Sequence, residues 1–171
     1  MSKRDLRTYL DSLDKSQLAL QILELYDKFS PVKTYYDFVF NPKEELLLRE
    51  CKLKIGNEYF PIKGKRPKAR RSVAQKYIKH FLTLGVDPYI IADVMLYAIE
   101  IAQRYSSEKK VSQEIFVKSI FNSFKQAIHF LIEHFVFEEF KDRVVAIKEE
   151  VIAQKWINEF EFKAILEKIE N

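Results

Sequence analysis

The stretch Gly85-Val86-Asp87-Pro88-Tyr89-Ile90-Ile91-Ala92-Asp93-Val94-Met95-Leu96-Tyr97-Ala98-Ile99-Glu100-Ile101-Ala102-Gln103-Arg104-Tyr105 reads as a helix stop, a turn and a helix start. Glycine enters the left-handed region without steric cost, so Gly85 suits the end of a preceding helix. Asp87 is a good N-cap, and the fixed φ of Pro88 suits the first helical position. The helix that follows is predicted to end near Tyr105. It is apolar almost all round, through Ile90, Ile91, Val94, Met95, Leu96, Tyr97, Ile99 and Ile101. Its narrow polar stripe is Asp93, Glu100 and Arg104. A helix with that pattern belongs at the centre of a helical fold.

The same start and stop signals recur on both sides of this helix. Ser2 and Asp5 have capping-box spacing ahead of Leu6, Leu10 and Leu13. Asp14 or Ser16 caps a second helix, with Leu18, Ile22, Leu25 and Phe29 on one stripe. Pro31 opens a short third helix. Asn41, Pro42 and the acidic pair Glu44-Glu45 open a fourth, which should stop near Gly56. A loop over 57–67 precedes a fifth helix from about Lys68 to Leu84. Ser106 to Lys110 reads as a polar connector. Ser112 caps a seventh helix to about Phe135, an eighth spans about Glu138 to Gln154, and a ninth starts near Asn158.

The 171 residues have room for one domain. Only three glycines and five prolines occur, too few turn residues for a sandwich or barrel. The predicted fold is all-α: one helical domain over 1–171, an irregular bundle of about eight or nine helices with antiparallel neighbours. The alternative is a short HEAT-like solenoid, because the Asn41-Pro42 and Asp87-Pro88 starts lie 46 residues apart. No apolar run is long enough to span a membrane, and the N-terminus lacks a signal-peptide core, so a cytoplasmic location is expected.

The segments Tyr35-Tyr36-Asp37-Phe38-Val39-Phe40-Asn41-Pro42 and Arg66-Pro67-Lys68-Ala69-Arg70-Arg71-Ser72-Val73-Ala74-Gln75-Lys76-Tyr77 resemble an uncharacterised bacterial family of small helical proteins. The resemblance covers most of the chain. It implies a bacterial, stand-alone domain of unknown function and supplies no catalytic residues.

Charge is distributed unevenly. Tyr59 to Val86 holds no acid and eight bases: Lys63, Lys65, Arg66, Lys68, Arg70, Arg71, Lys76 and Lys79. The rest of the chain has 21 bases against 25 acids, so this segment carries all the excess of the net +4. Residues 133–171 hold ten acids and six bases. On the fifth helix, Lys68, Ser72, Gln75, Lys76, Lys79 and Thr83 fall on one side, and Ala69, Val73, Tyr77, Phe81 and Leu84 on the other. Lys63, Lys65 and Arg66 precede its N-terminus, where free amides and the helix dipole also favour an anion. The expected anion site is therefore Lys63, Lys65, Arg66, Lys68, Arg71, Lys76 and Lys79, taking nucleic-acid backbone or another polyanion. The alternatives are a solvated basic face without a ligand, or a protein-interaction face docking on acidic helices of a partner or a second copy. No helix-turn-helix, RNP or zinc-finger pattern points to sequence-specific readout.

Catalytic patterns are sparse. The glycine spacing excludes a P-loop and a dinucleotide fingerprint. Cys51 is the only cysteine, which excludes an internal disulfide and a cysteine zinc cluster, and it reads as a packed residue. No Glu-x-x-His pair occurs, so no metal site or cofactor is expected. His129 and Glu133 read as a surface pair. If the fifth and sixth helices are antiparallel about residue 86, His80 faces Asp93 and Arg70 faces Glu100. Both are expected as structural polar pairs, and an enzyme built on His80 and Asp93 ranks last of the three readings. Phe130 stands off the apolar stripe of its helix and is expected to be exposed.

Overall fold

The computed structural model describes residues 2–62, 64–111 and 113–170. They form nine helices and no strand: α1 (Lys3–Asp11), α2 (Lys15–Lys28), α3 (Ser30–Phe40), α4 (Glu44–Tyr59), α5 (Arg71–Leu84), α6 (Pro88–Lys109), α7 (Glu114–Glu133), α8 (Phe137–Ala153) and α9 (Glu159–Glu170). The fold is the expected all-α bundle. The chain divides into two compact units, residues 1–43 and 44–171. Among the described residues no helix is long and apolar enough to cross a membrane.

The first unit holds α1 to α3. Both predicted capping boxes form: Ser2 with Asp5, and Asp14 with Gln17. Pro31 sits in the first turn of α3. No side chain of these three helices is buried. The unit is held by α2 on α3 and by polar ties such as the Tyr26 hydroxyl donating to Asp37 at 2.7 Å.

In the second unit α6 is the centre, packed by α4, α5, α7 and α8. A solenoid repeat touches only its neighbours, so this is bundle packing. The turn into α6 follows the sequence. Gly85 has φ 73°, its N–H donates to Leu82, and the Val86 N–H donates to Phe81. The Asp87 carboxylate then accepts from the Tyr89 N–H at 2.8 Å. Ile91, Val94, Leu96, Ile99 and Ala102 are buried along α6. Phe124 and Phe121 of α7 meet Phe162 of α9 at ring distances of 4.8 and 5.0 Å.

Several expected boundaries move. α4 starts at Glu44, past the Asn41-Pro42 signal, and runs through Gly56 to Tyr59. α6 continues through the expected connector, because Ser106 is buried and Arg104 pairs with Glu108 one turn on. The end of α6 and the turns after α7 and α8 use left-handed Lys110, Phe135 and Lys155 instead of glycine. At each, the next residue donates back to a carbonyl five earlier, the closure that Gly85 makes. The Ser112 cap lies outside the described residues. Phe130 is buried, against expectation, with its ring 4.1 Å from His134.

Candidate polyanion-binding surface

The basic segment begins where α4 ends. Glu58, on the last turn of α4, organises it. Its backbone carbonyl accepts from the Lys68 and Ala69 amides, both at 2.9 Å. Ala69 takes φ 47°, a left-handed conformation that costs a non-glycine residue, and this double bond holds it there. The Glu58 carboxylate accepts from Arg70 Nε and a terminal nitrogen, both at 2.8 Å. These hydrogen bonds from Arg70 hold the Glu58 carboxyl below its usual range, against the opposing effect of burial. Lys68, Ala69 and Arg70 are thus folded back on α4 before α5 starts at Arg71.

That clamp overturns the Arg70–Glu100 expectation. Arg70 precedes α5 as its N-cap residue, so it never takes the wheel position that aims it at α6. Glu100 instead accepts two hydrogen bonds from Arg143 of α8, at 2.7 and 2.9 Å. The His80–Asp93 expectation fails as well. His80 is exposed, with its ring 6.4 Å from that of Phe81. Asp93 is taken by Lys52 of α4 at 2.6 Å and by Arg143 at 2.8 Å. Four charges from three helices therefore form one network that sequence alone did not reveal. The two acids lie seven residues apart on α6, which signals a shared stripe but not its partners.

Arg71 is also engaged. Its guanidinium donates to the Ser123 hydroxyl and, at 2.9 Å, to the side-chain oxygen Oε1 of Gln126 on α7. Burial pushes its pKa below the ordinary value. It works as a strut between α5 and α7.

Lys65, Arg66 and Lys68 on the loop, and Lys76 and Lys79 on α5, are exposed. Among the described residues these five make no ion pair and no side-chain hydrogen bond, although the charge of Lys68 contributes to holding Glu58 ionised. Lys63 lies outside the described residues. Ser72 and Thr83 are exposed beside them, while Phe81 and Leu84 are buried, as the wheel predicts. Arg70 makes no side-chain cap bond at the start of α5. The arrangement offers five cations and a helix N-terminus to an anion.

Catalytic features are thin in this unit. Cys51 is fully buried, and burial pushes its thiol up to about 12, which leaves it inert as a nucleophile. His129 pairs with Glu133 at 3.7 Å, both exposed. Among the described residues no group of three His, Cys, Asp or Glu side chains is arranged to hold a metal ion.

A family model described as a family of unknown function, DUF6155, matches residues 1–170. The chain belongs to that family. No curated protein and no solved structure matches it. DUF6155 membership agrees with the resemblance drawn from residues 35–42 and 66–77, and it brings no activity with it.

Proposed function

We propose that this DUF6155 protein is a non-catalytic binding protein that holds nucleic-acid backbone or a comparable polyanion on Lys65, Arg66, Lys68, Lys76 and Lys79. One observation carries the reading: among the described residues, five exposed cations on one loop and the helix that follows make no ion pair. Flexible lysines beside exposed hydroxyls suit phosphate oxygens and carry no base readout, so binding is expected to be sequence-independent. A bacterial cytoplasm supplies such ligands. The competing reading is a protein-interaction face, docked on acidic helices of a second copy. The first turns of α8 and α9, with Glu138, Glu139, Glu159 and Glu161, favour it.

A salt titration with mixed DNA and RNA oligonucleotides tests the proposal. About four simultaneous phosphate contacts cost roughly two orders of magnitude in affinity between about 50 and 200 mM salt. Changing the five bases to Gln abolishes binding and leaves the helical content unchanged, because all five point into water. Absence of binding by the wild type at low salt refutes the nucleic-acid reading. A dimer that dissociates on the same five changes then establishes the self-docking one.

A further inference from the structure

A groove of about 680 Å³ runs between α4 and α6. Of the basic segment only Phe60 lines it, and none of the five exposed cations does. Its walls are aliphatic and aromatic: Leu48 and Leu53 of α4, Ile101 of α6, and Phe60 just beyond α4. Along α4 it extends from Glu45 to Asn57, about 18 Å at the helical rise. Gly56 forms part of its floor. A Cβ at that position would lie 3.0 Å from the Tyr97 hydroxyl, so glycine in mid-helix lets the phenol approach the α4 backbone.

Hydrogen-bond donors outnumber acceptors in this groove. Three cations line it, Arg49, Lys52 and Arg104, against one acid, Glu45. Lys52 gives one N–H to Asp93 and keeps two, with its ammonium 5.3 Å from the Tyr97 ring centre. Arg104 gives only Nε to Glu108, and its guanidinium lies 5.2 Å from the Phe60 ring centre. Arg49 is exposed and, among the described residues, makes no ion pair. The Tyr97 hydroxyl makes no hydrogen bond there either.

We propose that this groove binds an elongated monocarboxylate: its carboxylate lies at Arg49, Lys52 and the Tyr97 hydroxyl, and its apolar chain runs along Leu53 and Ile101 toward Phe60. Volume and lining fall within the range of small-ligand sites, mostly apolar with a few convergent polar groups. The charge balance selects a single negative charge. Asp93 and Glu108 already compensate Lys52 and Arg104, so one carboxylate finds donors in excess without meeting a field strong enough to favour a polyanion. Of the three head-group donors, Tyr97 belongs to α6, the central helix of the unit, and Lys52 is held by Asp93.

The test is calorimetric titration of the full chain with dodecanoate below its aggregation concentration. Saturable one-site binding is expected. Acetate, which has the head group alone, should bind more than about a hundredfold more weakly, because each buried methylene contributes about 0.8 kcal/mol. Dodecyltrimethylammonium should bind at least about tenfold more weakly, a difference of roughly 1.4 kcal/mol, for want of an acceptor. Leu53→Glu and Arg49→Glu change exposed side chains, so each should keep the helical spectrum and weaken dodecanoate at least about tenfold. The proposal is overturned if dodecanoate does not saturate, if the cationic amphiphile binds as tightly, or if Arg49→Glu binds like the wild type. A groove that ignores dodecanoate and accepts an acidic amphipathic peptide overturns it in favour of a protein partner.

Discussion

Removing Arg143 tests whether the charge network on α6 holds α8 in place. The guanidinium makes three charge-assisted hydrogen bonds, at 2.7 and 2.9 Å to Glu100 and at 2.8 Å to Asp93. Bonds of this kind contribute about 1.5–3 kcal/mol each, and breaking a fully buried pair costs about 3–5 kcal/mol. Two features lower the cost here. The Arg143 side chain is 32% exposed and Asp93 is 23% exposed, so water takes up part of the released charge. Lys52 also continues to hold Asp93 at 2.6 Å. Glu100, 36% exposed, is the group left alone. Arg143→Met keeps the apolar stem and should cost about 2 kcal/mol, which lowers the midpoint of thermal unfolding by roughly 4–8 °C for a chain of this size. Glu100→Met should cost less in the Arg143→Met background than in the wild type, because the stranded carboxylate is then gone. The exposed Lys28–Glu24 pair, 66% and 67% exposed, is the control and should change stability by no more than about 0.5 kcal/mol when neutralised. Urea unfolding followed by circular dichroism measures all four variants. An Arg143→Met protein within about 0.5 kcal/mol of the wild type, equal to the surface control, would refute the reasoning.

Two further outcomes follow from burial and pairing. Arg70→Ala should release residues 68–70 from α4, read as faster hydrogen exchange at the Lys68 and Ala69 amides with α6 unaffected. The same release should come with acid in the wild type: the Glu58 pKa is depressed in the folded chain by Arg70, so its contribution is complete above the unfolded carboxylate value of roughly 4.3 and fades as pH falls through the lower folded value. Protection of those two amides, measured relative to their intrinsic exchange rates, that is unchanged between neutral and strongly acidic pH would contradict this. Cys51 should resist an aromatic disulfide reagent in the folded chain at mildly alkaline pH and react fully in urea, since its thiol is buried and pushed up to about 12. Rapid labelling without denaturant would show that the α4–α6 contact opens.

The fold was legible where a local rule had no competitor. Gly85, Asp87 and Pro88 fix a helix end and a helix start through backbone conformation alone, and both form as read. The apolar circumference of α6 placed it at the centre for the same reason. Boundaries failed where a polar residue found a tertiary or helical use. Ser106 is buried with its hydroxyl donating to Val111, so a serine that reads as connector is helix. Lys110, Phe135 and Lys155 close helix ends in the left-handed region without glycine, which no composition signal marks. Phe130 looked exposed because the stripe of α7 was drawn too narrow, and packing on more than one side buries it. The site was legible as a class of residue and not as pairs. That Asp93 and Glu100 needed partners followed from their place on an apolar helix. That the partners are Lys52 and Arg143 depends on how α4 and α8 cross α6, and no periodicity contains that.

The sorting of bases in the second unit gives the physical ground for the anion reading. Arg70 is neutralised by Glu58, Arg143 by Glu100 and Asp93, Lys52 by Asp93, and Arg71 is absorbed by neutral oxygens on α7. Each base that the packing draws inward has been given an acceptor, as low-dielectric surroundings require. Lys65, Arg66, Lys68, Lys76 and Lys79 lie outside that process. No acid occurs between Tyr59 and Val86, the nearby Glu58 is already engaged by Arg70, and the Glu58 clamp gathers three of the five bases beside the start of α5. Gathering like charges costs repulsion that an extended loop would have avoided. An anion laid across the loop and the outer face of α5 removes that repulsion and fills the uncapped helix N-terminus in the same step. The binding free energy of such a ligand would therefore include relief of strain already present in the free protein, and would fall with salt for both reasons.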